Sequence, residues 1–105
     1  MHDEAKQVLK SIALFESLGD RALDAVASRT VIKRYAKDAM LFREGDAARG
    51  LFVVVEGGVK IYRSRSDGRE QVLHVERPVR SMAEIPLLDG SLYPASARAA
   101  EASRI

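Results

Sequence analysis

The sequence predicts a small, mainly β domain of antiparallel strands that follows short N-terminal helices. Two observations predict this class. From Thr30 onward, short β-like runs alternate with turn residues at a spacing of roughly 8 to 12 residues, which is typical of an antiparallel sandwich or barrel. Before Thr30, apolar residues recur at helical spacing instead. A chain of 105 residues has room for one modest hydrophobic core.

The N-terminal part, residues 4–28, is predicted to form two short helices separated by Gly19. Asp20 is a suitable N-cap for the second helix, and Leu23 and Val26 lie at helical spacing on one face of it. We therefore assign 1–28 to an N-terminal helical segment.

The remainder, 29–105, is predicted to be β. Gly57-Gly58 and Asp67-Gly68 are dipeptides that two-residue hairpins favour, so the three strands around them should form a meander. Residues 51–55 have no polar alternation and should be buried on both faces, whereas Tyr62 should lie on the wet face of its strand. The predicted strands are 31–35, 40–43, 51–56, 59–64, 70–75 and 95–102, and a single helical turn is expected over 82–88.

Composition excludes several classes of protein. There is no cysteine, so this segment has no disulfide framework, no cysteine nucleophile and no thiolate metal site. The 17 basic and 15 acidic residues are interspersed, which is a weak nucleic-acid signal. No apolar run reaches the length of a membrane span, the N-terminus lacks a secretory signal, and no catalytic motif occurs. We therefore expect a non-enzymatic cytoplasmic protein without a membrane partner.

The order of signals over 40–99 resembles the sensor domain of the CRP/FNR family of bacterial transcription regulators. The resemblance is carried by the Gly57-Gly58 and Asp67-Gly68 turns, by Glu84 and by the segment 93–99. It implies a cyclic-nucleotide-binding-type antiparallel jelly roll, also called a double-stranded β-helix. It also implies a small-molecule effector, a homodimer in the full-length protein, and DNA contact only through a C-terminal domain absent from this chain. The roll is expected to be incomplete at its C-terminal end, with its last strands unpaired.

Residues 78–99 resemble the phosphate-binding cassette of that family, with one departure. Members that bind cyclic nucleotides have a Gly-Glu pair followed by an Arg-Ser or Arg-Thr pair, which clamps the phosphate. The matching positions here are Ala83-Glu84 and Tyr93-Pro94, so Glu84 remains as a ribose hydroxyl acceptor and the arginine is absent. Arg80 or Arg98 are the candidate substitutes. The resemblance predicts a pocket formed by Ala83, Glu84, Ile85, Tyr93, Pro94 and Ala95, with Val59 and Ile61 on its wall.

The function predicted from these residues is a ligand-sensing regulatory domain with a degenerate cyclic-nucleotide pocket. Two alternatives stay open. One is a haem-dependent gas sensor of the nitric oxide type, for which His74, Tyr93 or Tyr62 would have to supply the axial ligand. The other is a ligand-free dimerisation or interaction module. The cofactor is thus undecided between a cyclic nucleotide and haem, and no other metal site is predicted.

Overall fold

The described part of the chain divides into two compact units. A computed structural model describes residues 3–48, 50–82 and 90–105, and the units are Met1–Lys33 and Arg34–Ile105.

The first unit is helical, as the spacing of apolar residues predicts. It contains α1 (Asp3–Lys10), a 3₁₀ turn (Ala13–Phe15) and α2 (Asp20–Ser28), and α1 packs against α2. The N-cap of α2 is Gly19, which has extended backbone and no side-chain cap, so the prediction of Asp20 as the cap is wrong by one residue. Asp20 lies instead in the first turn of α2, where the helix dipole stabilises a carboxylate.

The described residues of the second unit form eight strands. They are β1 (Arg34–Tyr35), β2 (Met40–Phe42), β3 (Phe52–Val54), β4 (Val59–Ser64), β5 (Glu70–Glu76), β6 (Arg80–Met82), β7 (Ser96–Ala99) and β8 (Ser103–Arg104).

The strands pair in a nested antiparallel order. β1 pairs with β8, β2 with β7, β3 with β6 and β4 with β5, while β7 also pairs with β4 to give the four-stranded order β2-β7-β4-β5. A long hairpin that folds over on itself produces this first-with-last pairing, and it is the arrangement of a jelly roll. The predicted fold class is confirmed.

The predicted meander is wrong at its first turn. The β4–β5 hairpin forms around Asp67-Gly68, but β3 pairs with β6, and both edges of β4 are taken by β5 and β7. Gly57-Gly58 is therefore a corner at which the chain leaves one sheet for another. Gly57 has a φ of 91°, which explains why a glycine occurs there even without a hairpin.

The core of the roll is a cluster of buried side chains from several strands, and β3 contributes less to it than predicted. Val54 is fully buried, but Phe52 and Val53 are only partly buried, because β3 has a single partner strand in the described part of the chain. Tyr62 is buried rather than wet, since Arg98 of the adjacent β7 covers its ring with a 4.8 Å separation from the centroid. The cluster comprises Val54, Val59, Met82, Ala97 and Ile105.

The last strand of the described roll is paired, contrary to expectation. Ser103 and Arg104 of β8 lie opposite Tyr35 and Arg34. On the other side, Arg104 forms a bridge with Glu56, in which backbone hydrogen bonds run in both directions at 3.1 and 3.2 Å. Both edges of β8 therefore have partners among the described residues.

Candidate functional site

The structure describes only the second half of the predicted site, the part that follows residue 89. Ala83, Glu84 and Ile85 lie outside the described residues, as does most of the predicted helical turn, while Met82 ends β6. Tyr93, Pro94 and Ala95 immediately precede β7. The geometry of the site is therefore built from the chain after Gly90 and from the strands that it contacts.

Tyr93 directs its side chain into the interior of the roll. It is 4% exposed, and its ring stacks on Phe42 with centroids 4.1 Å apart and an interplanar angle of 16°. The ring centroids of Phe42 and Phe52 are in turn 5.4 Å apart, so three aromatic rings lie in series. Stacked buried rings contribute about 0.5–1.5 kcal/mol beyond the burial of their area. The position that the resemblance assigns to the arginine is thus occupied by a packing residue.

The backbone around Tyr93 is fixed by the turn that follows β2. Gly45 N–H donates to the carbonyl of Tyr93, and Tyr93 N–H donates to the carbonyl of Asp46, each at 2.9 Å. Ala47 and Leu92 form an isolated bridge one step further along. This end of the cassette is held in place by main-chain bonds, which do not depend on side-chain identity.

Pro94 and its neighbours face two different environments. The Pro94 side chain is exposed, and its carbonyl accepts a hydrogen bond from Arg63 Nε at 2.8 Å. Ala95 is buried, and the buried Ser96 hydroxyl accepts a hydrogen bond from Glu44 N–H at 2.9 Å. The hydrogen bond with Glu44 gives the buried Ser96 hydroxyl a structural role.

The two predicted wall residues lie on one face of β4. Ile61 is opposite Ala97 of β7, and Val59 is opposite Ala99. Val59 is completely buried, whereas Ile61 is partly buried against the same core cluster. Val59 therefore belongs to the core of the roll, and Ile61 lies nearer its surface.

Arg98, a candidate phosphate partner, is already committed to other groups. Its Nη1 donates to Glu70 at 2.6 Å, and its Nε lies 3.7 Å from Asp38 Oδ1 without forming a hydrogen bond. Partial burial lowers the pKa of Arg98, but the hydrogen bond and charge of Glu70, with smaller contributions from Tyr62 and Asp38, outweigh this effect and raise the pKa overall. Arg98 thus links β7 to β5 through its ion pair with Glu70.

The candidate haem ligands have other roles in the described structure. The His74 side chain is 54% exposed on β5, and its Nε2 lies 2.6 Å from Glu76 Oε1. The buried Tyr62 hydroxyl donates to Met40 Sδ at 3.3 Å. Among residues 3–48, 50–82 and 90–105, no group of three or more His, Cys, Asp or Glu side chains could hold a metal ion, and no helix there is long and apolar enough to cross a bilayer.

Sequence reasoning missed Arg63. The predicted strand 59–64 contains Arg63, but the sequence did not indicate that Arg63 would contact Pro94 from β4. The signal that identifies it is alternation: Arg63 is two residues beyond Ile61 and therefore shares its face.

The comparisons with known proteins agree with the nested strand order. A family model described as "Cyclic nucleotide-binding domain" matches residues 32–105. The cyclic AMP receptor protein of Thermus thermophilus is 30% identical over 93 residues, which cover 89% of this chain and 43% of that protein. The chain thus spans about two fifths of the length of this curated relative.

Solved structures are also similar to this chain in their three-dimensional fold. The sensor domain of the transcriptional regulator DNR from Pseudomonas aeruginosa superposes with a TM-score of 0.88 and 31% identity, covering 98% of this chain and 69% of that one. The regulatory domain of Toxoplasma gondii PKA, solved with cAMP, has a TM-score of 0.88 and 26% identity, covering 98% of this chain and 39% of that one. The similarity thus extends over nearly all of this chain.

Proposed function

Because the chain belongs to the cyclic nucleotide-binding domain family, in the form found in CRP/FNR-type regulators, we propose that it is the effector-sensing domain of a bacterial transcription regulator whose cyclic-nucleotide clamp is degenerate. The proposal that the clamp is degenerate rests on the packing of Tyr93. Its ring is packed on Phe42 at the position where nucleotide-binding members have their arginine.

Without the clamp arginine, a cyclic phosphate loses charge-assisted hydrogen bonds. A charge-assisted hydrogen bond contributes about 1.5–3 kcal/mol, and a bidentate guanidinium makes two of them. Neither Tyr93 nor Pro94 carries a guanidinium: Tyr93 has a single neutral O–H donor, and proline has no N–H. A cyclic nucleotide that relied on this pair of positions would therefore bind several orders of magnitude more weakly than it does to an intact clamp.

Arg98 does not replace the missing donor in this proposal. Its guanidinium is held by Glu70, so turning it toward a ligand would leave a partly buried carboxylate without its partner.

Isothermal titration calorimetry with cyclic AMP and cyclic GMP tests the proposal, with the Thermus thermophilus cyclic AMP receptor protein as the positive control. We expect no micromolar binding of either nucleotide to this chain. Micromolar binding of either one would overturn the degenerate-clamp proposal, and a Tyr93→Phe variant would then show whether the hydroxyl of Tyr93 had taken over the contact.

A ligand-free interaction module is the second candidate, and the edge of the four-stranded sheet favours it. Three apolar side chains of the edge strand β5 are exposed by 48% (Val72), 43% (Leu73) and 37% (Val75). Exposed edge strands can recruit other chains. Sedimentation velocity over a range of concentrations separates the two candidates, because a strict monomer at high concentration contradicts the interaction module.

The remaining parts of the proposal follow from family membership. We propose that the effector is a small molecule, that the full-length regulator is a cytoplasmic homodimer, and that DNA is contacted by another domain. The domain itself is regulatory rather than catalytic. Haem gains no support from the described residues, since His74 is exposed and bonded to Glu76. Absence of a Soret band after haem addition would agree with this assignment, and a Soret band lost in His74→Ala would overturn it.

A further inference from the structure

One guanidinium does reach the described half of the cassette, and it comes from a different strand. Arg63 of β4 donates its Nε–H to the carbonyl of Pro94 at 2.8 Å. Pro94 occupies the position that the resemblance assigns to the hydroxyl residue of the phosphate clamp. The Arg63 head group therefore lies beside the segment at which an anion would be expected in this family.

Arg63 emerges from the inner face of the roll. Along β4, Val59 and Ile61 contact the core cluster, and side chains two residues apart share a face of a strand. Arg63 continues that face to the point where it opens to solvent, since its side chain is exposed. Gln71 lies directly opposite Arg63 on β5, so its carboxamide shares the same face and can donate to an anion.

The Nη groups of Arg63 make no hydrogen bond or ion pair with any residue in 3–48, 50–82 or 90–105. Other arginines of the roll are neutralised by carboxylates: Arg98 pairs with Glu70, and Arg104 pairs with Glu56 at 2.7 Å. The neutral carbonyl of Pro94 fixes the Arg63 guanidinium through Nε and leaves its Nη edge for a second partner. That edge is the one that binds phosphate or carboxylate end-on with two parallel hydrogen bonds.

We propose that Arg63 is the anion-binding residue of this domain and that the effector carries a phosphate or carboxylate group. The proposal rests on the function proposed above, because it presumes an effector that enters the same cassette without the cassette arginine. It assigns to β4 the cation that nucleotide-binding members carry next to β7.

The test is a titration of the ¹⁵N-labelled chain with inorganic phosphate and, separately, with acetate, followed by the arginine Nε–Hε resonances. We expect a saturable shift of the Arg63 resonance with at least one anion, and the stronger response identifies phosphate or carboxylate chemistry. In Arg63→Gln the anion affinity, measured from the shifts of neighbouring amides, should fall at least about tenfold. Arg65→Gln is the matched control, since it removes the same charge from the hairpin that follows β4 and should bind as the parent does.

Three results would overturn the proposal: no saturable shift at Arg63 with either anion, equal weakening in Arg63→Gln and Arg65→Gln, or unchanged binding in Arg63→Gln. If Arg63→Gln does not fold, Arg63→Lys keeps the charge but loses the guanidinium fork, and undiminished binding by that variant would also count against the proposal. Failure of the anion titration leaves the proposed sensing function intact. Conversely, micromolar cyclic AMP binding that is lost in Arg63→Gln would support Arg63 and overturn the degenerate clamp.

Discussion

The corner at Gly57 gives the sharpest test of how this roll is held together, and the change is Gly57→Ala. A Cβ at this position would lie 2.3 Å from Ser103 Oγ, 2.8 Å from the carbonyl oxygen of Ala102 and 2.9 Å from Ser103 Cα. Two of these three atoms belong to the backbone and cannot rotate away. The new methyl group would therefore push β8 away from the corner between β3 and β4.

The magnitude follows from three contributions. A left-handed φ of 91° costs alanine about 1 kcal/mol relative to glycine. Overlap with the backbone of β8 adds about 1–3 kcal/mol. Displacement of Ser103 breaks its buried hydroxyl contacts with Gly58, the N–H bond at 3.1 Å among them, at about 1–3 kcal/mol. The sum, about 3–7 kcal/mol, is comparable with the whole stability of many small domains.

Urea unfolding followed by circular dichroism measures the free energy of unfolding for Gly57→Ala and for its control, Gly68→Ala. Gly68 has a similar φ of 84°, but nothing lies within 4 Å of its added Cβ, so this variant should lose only about 1 kcal/mol. Equal losses in the two variants would refute the reasoning, because they would show that β8 does not press on the corner.

Three further predictions concern other contacts. Tyr93→Leu keeps an apolar side chain but loses the aromatic stack, so the free energy of unfolding in urea should fall by about 1–3 kcal/mol. A double-mutant cycle with Arg98→Met and Glu70→Gln should give a coupling energy of about 1 kcal/mol, because solvent still reaches both side chains. Lys6 has its pKa raised by a hydrogen bond to Asp24, so its contribution to stability is present below the ordinary value of 10.5 and is lost as the pH rises past it. Stability measured between pH 9 and 12 should therefore fall less steeply in Asp24→Asn than in the parent chain.

Local sequence signals predicted the strands and their class but not all of their partners. The Asp67-Gly68 turn joins β4 and β5, which are adjacent along the chain, so the local signal and the long-range pairing agree there. At Gly57-Gly58 the same kind of dipeptide marks a corner, and the pairing of β3 with β6 depends on residues far away in the chain. A dipeptide of this kind indicates that the backbone needs a positive φ, but it does not indicate which strands pair with each other.

The place of Tyr93 and Pro94 in the fold was predictable, whereas their part in an effector site stays a prediction. Both residues lie just before β7, with Ala95 between Pro94 and the strand. The burial of Tyr93 was not predicted, because it depends on Phe42 reaching the same point from β2. The contact of Arg63 was missed for a related reason: it joins residues 31 positions apart, and the alternation with Ile61 indicates which face Arg63 shares but not which residue it contacts.

The main-chain contacts at the end of the cassette do not depend on the side chain at position 93. The main-chain bonds between Gly45, Asp46 and Tyr93 hold the cassette end in place, and they require a particular backbone path rather than a particular side chain at position 93. The glycines and turns that make the sequence recognisable maintain that path. In the proposal made above, side chains such as Arg63 select the ligand, and these can change while the path is preserved. Resemblance in this family therefore predicts the shape of the cassette more securely than the charge of what it holds, and the Nη edge of Arg63 is where that charge should be sought.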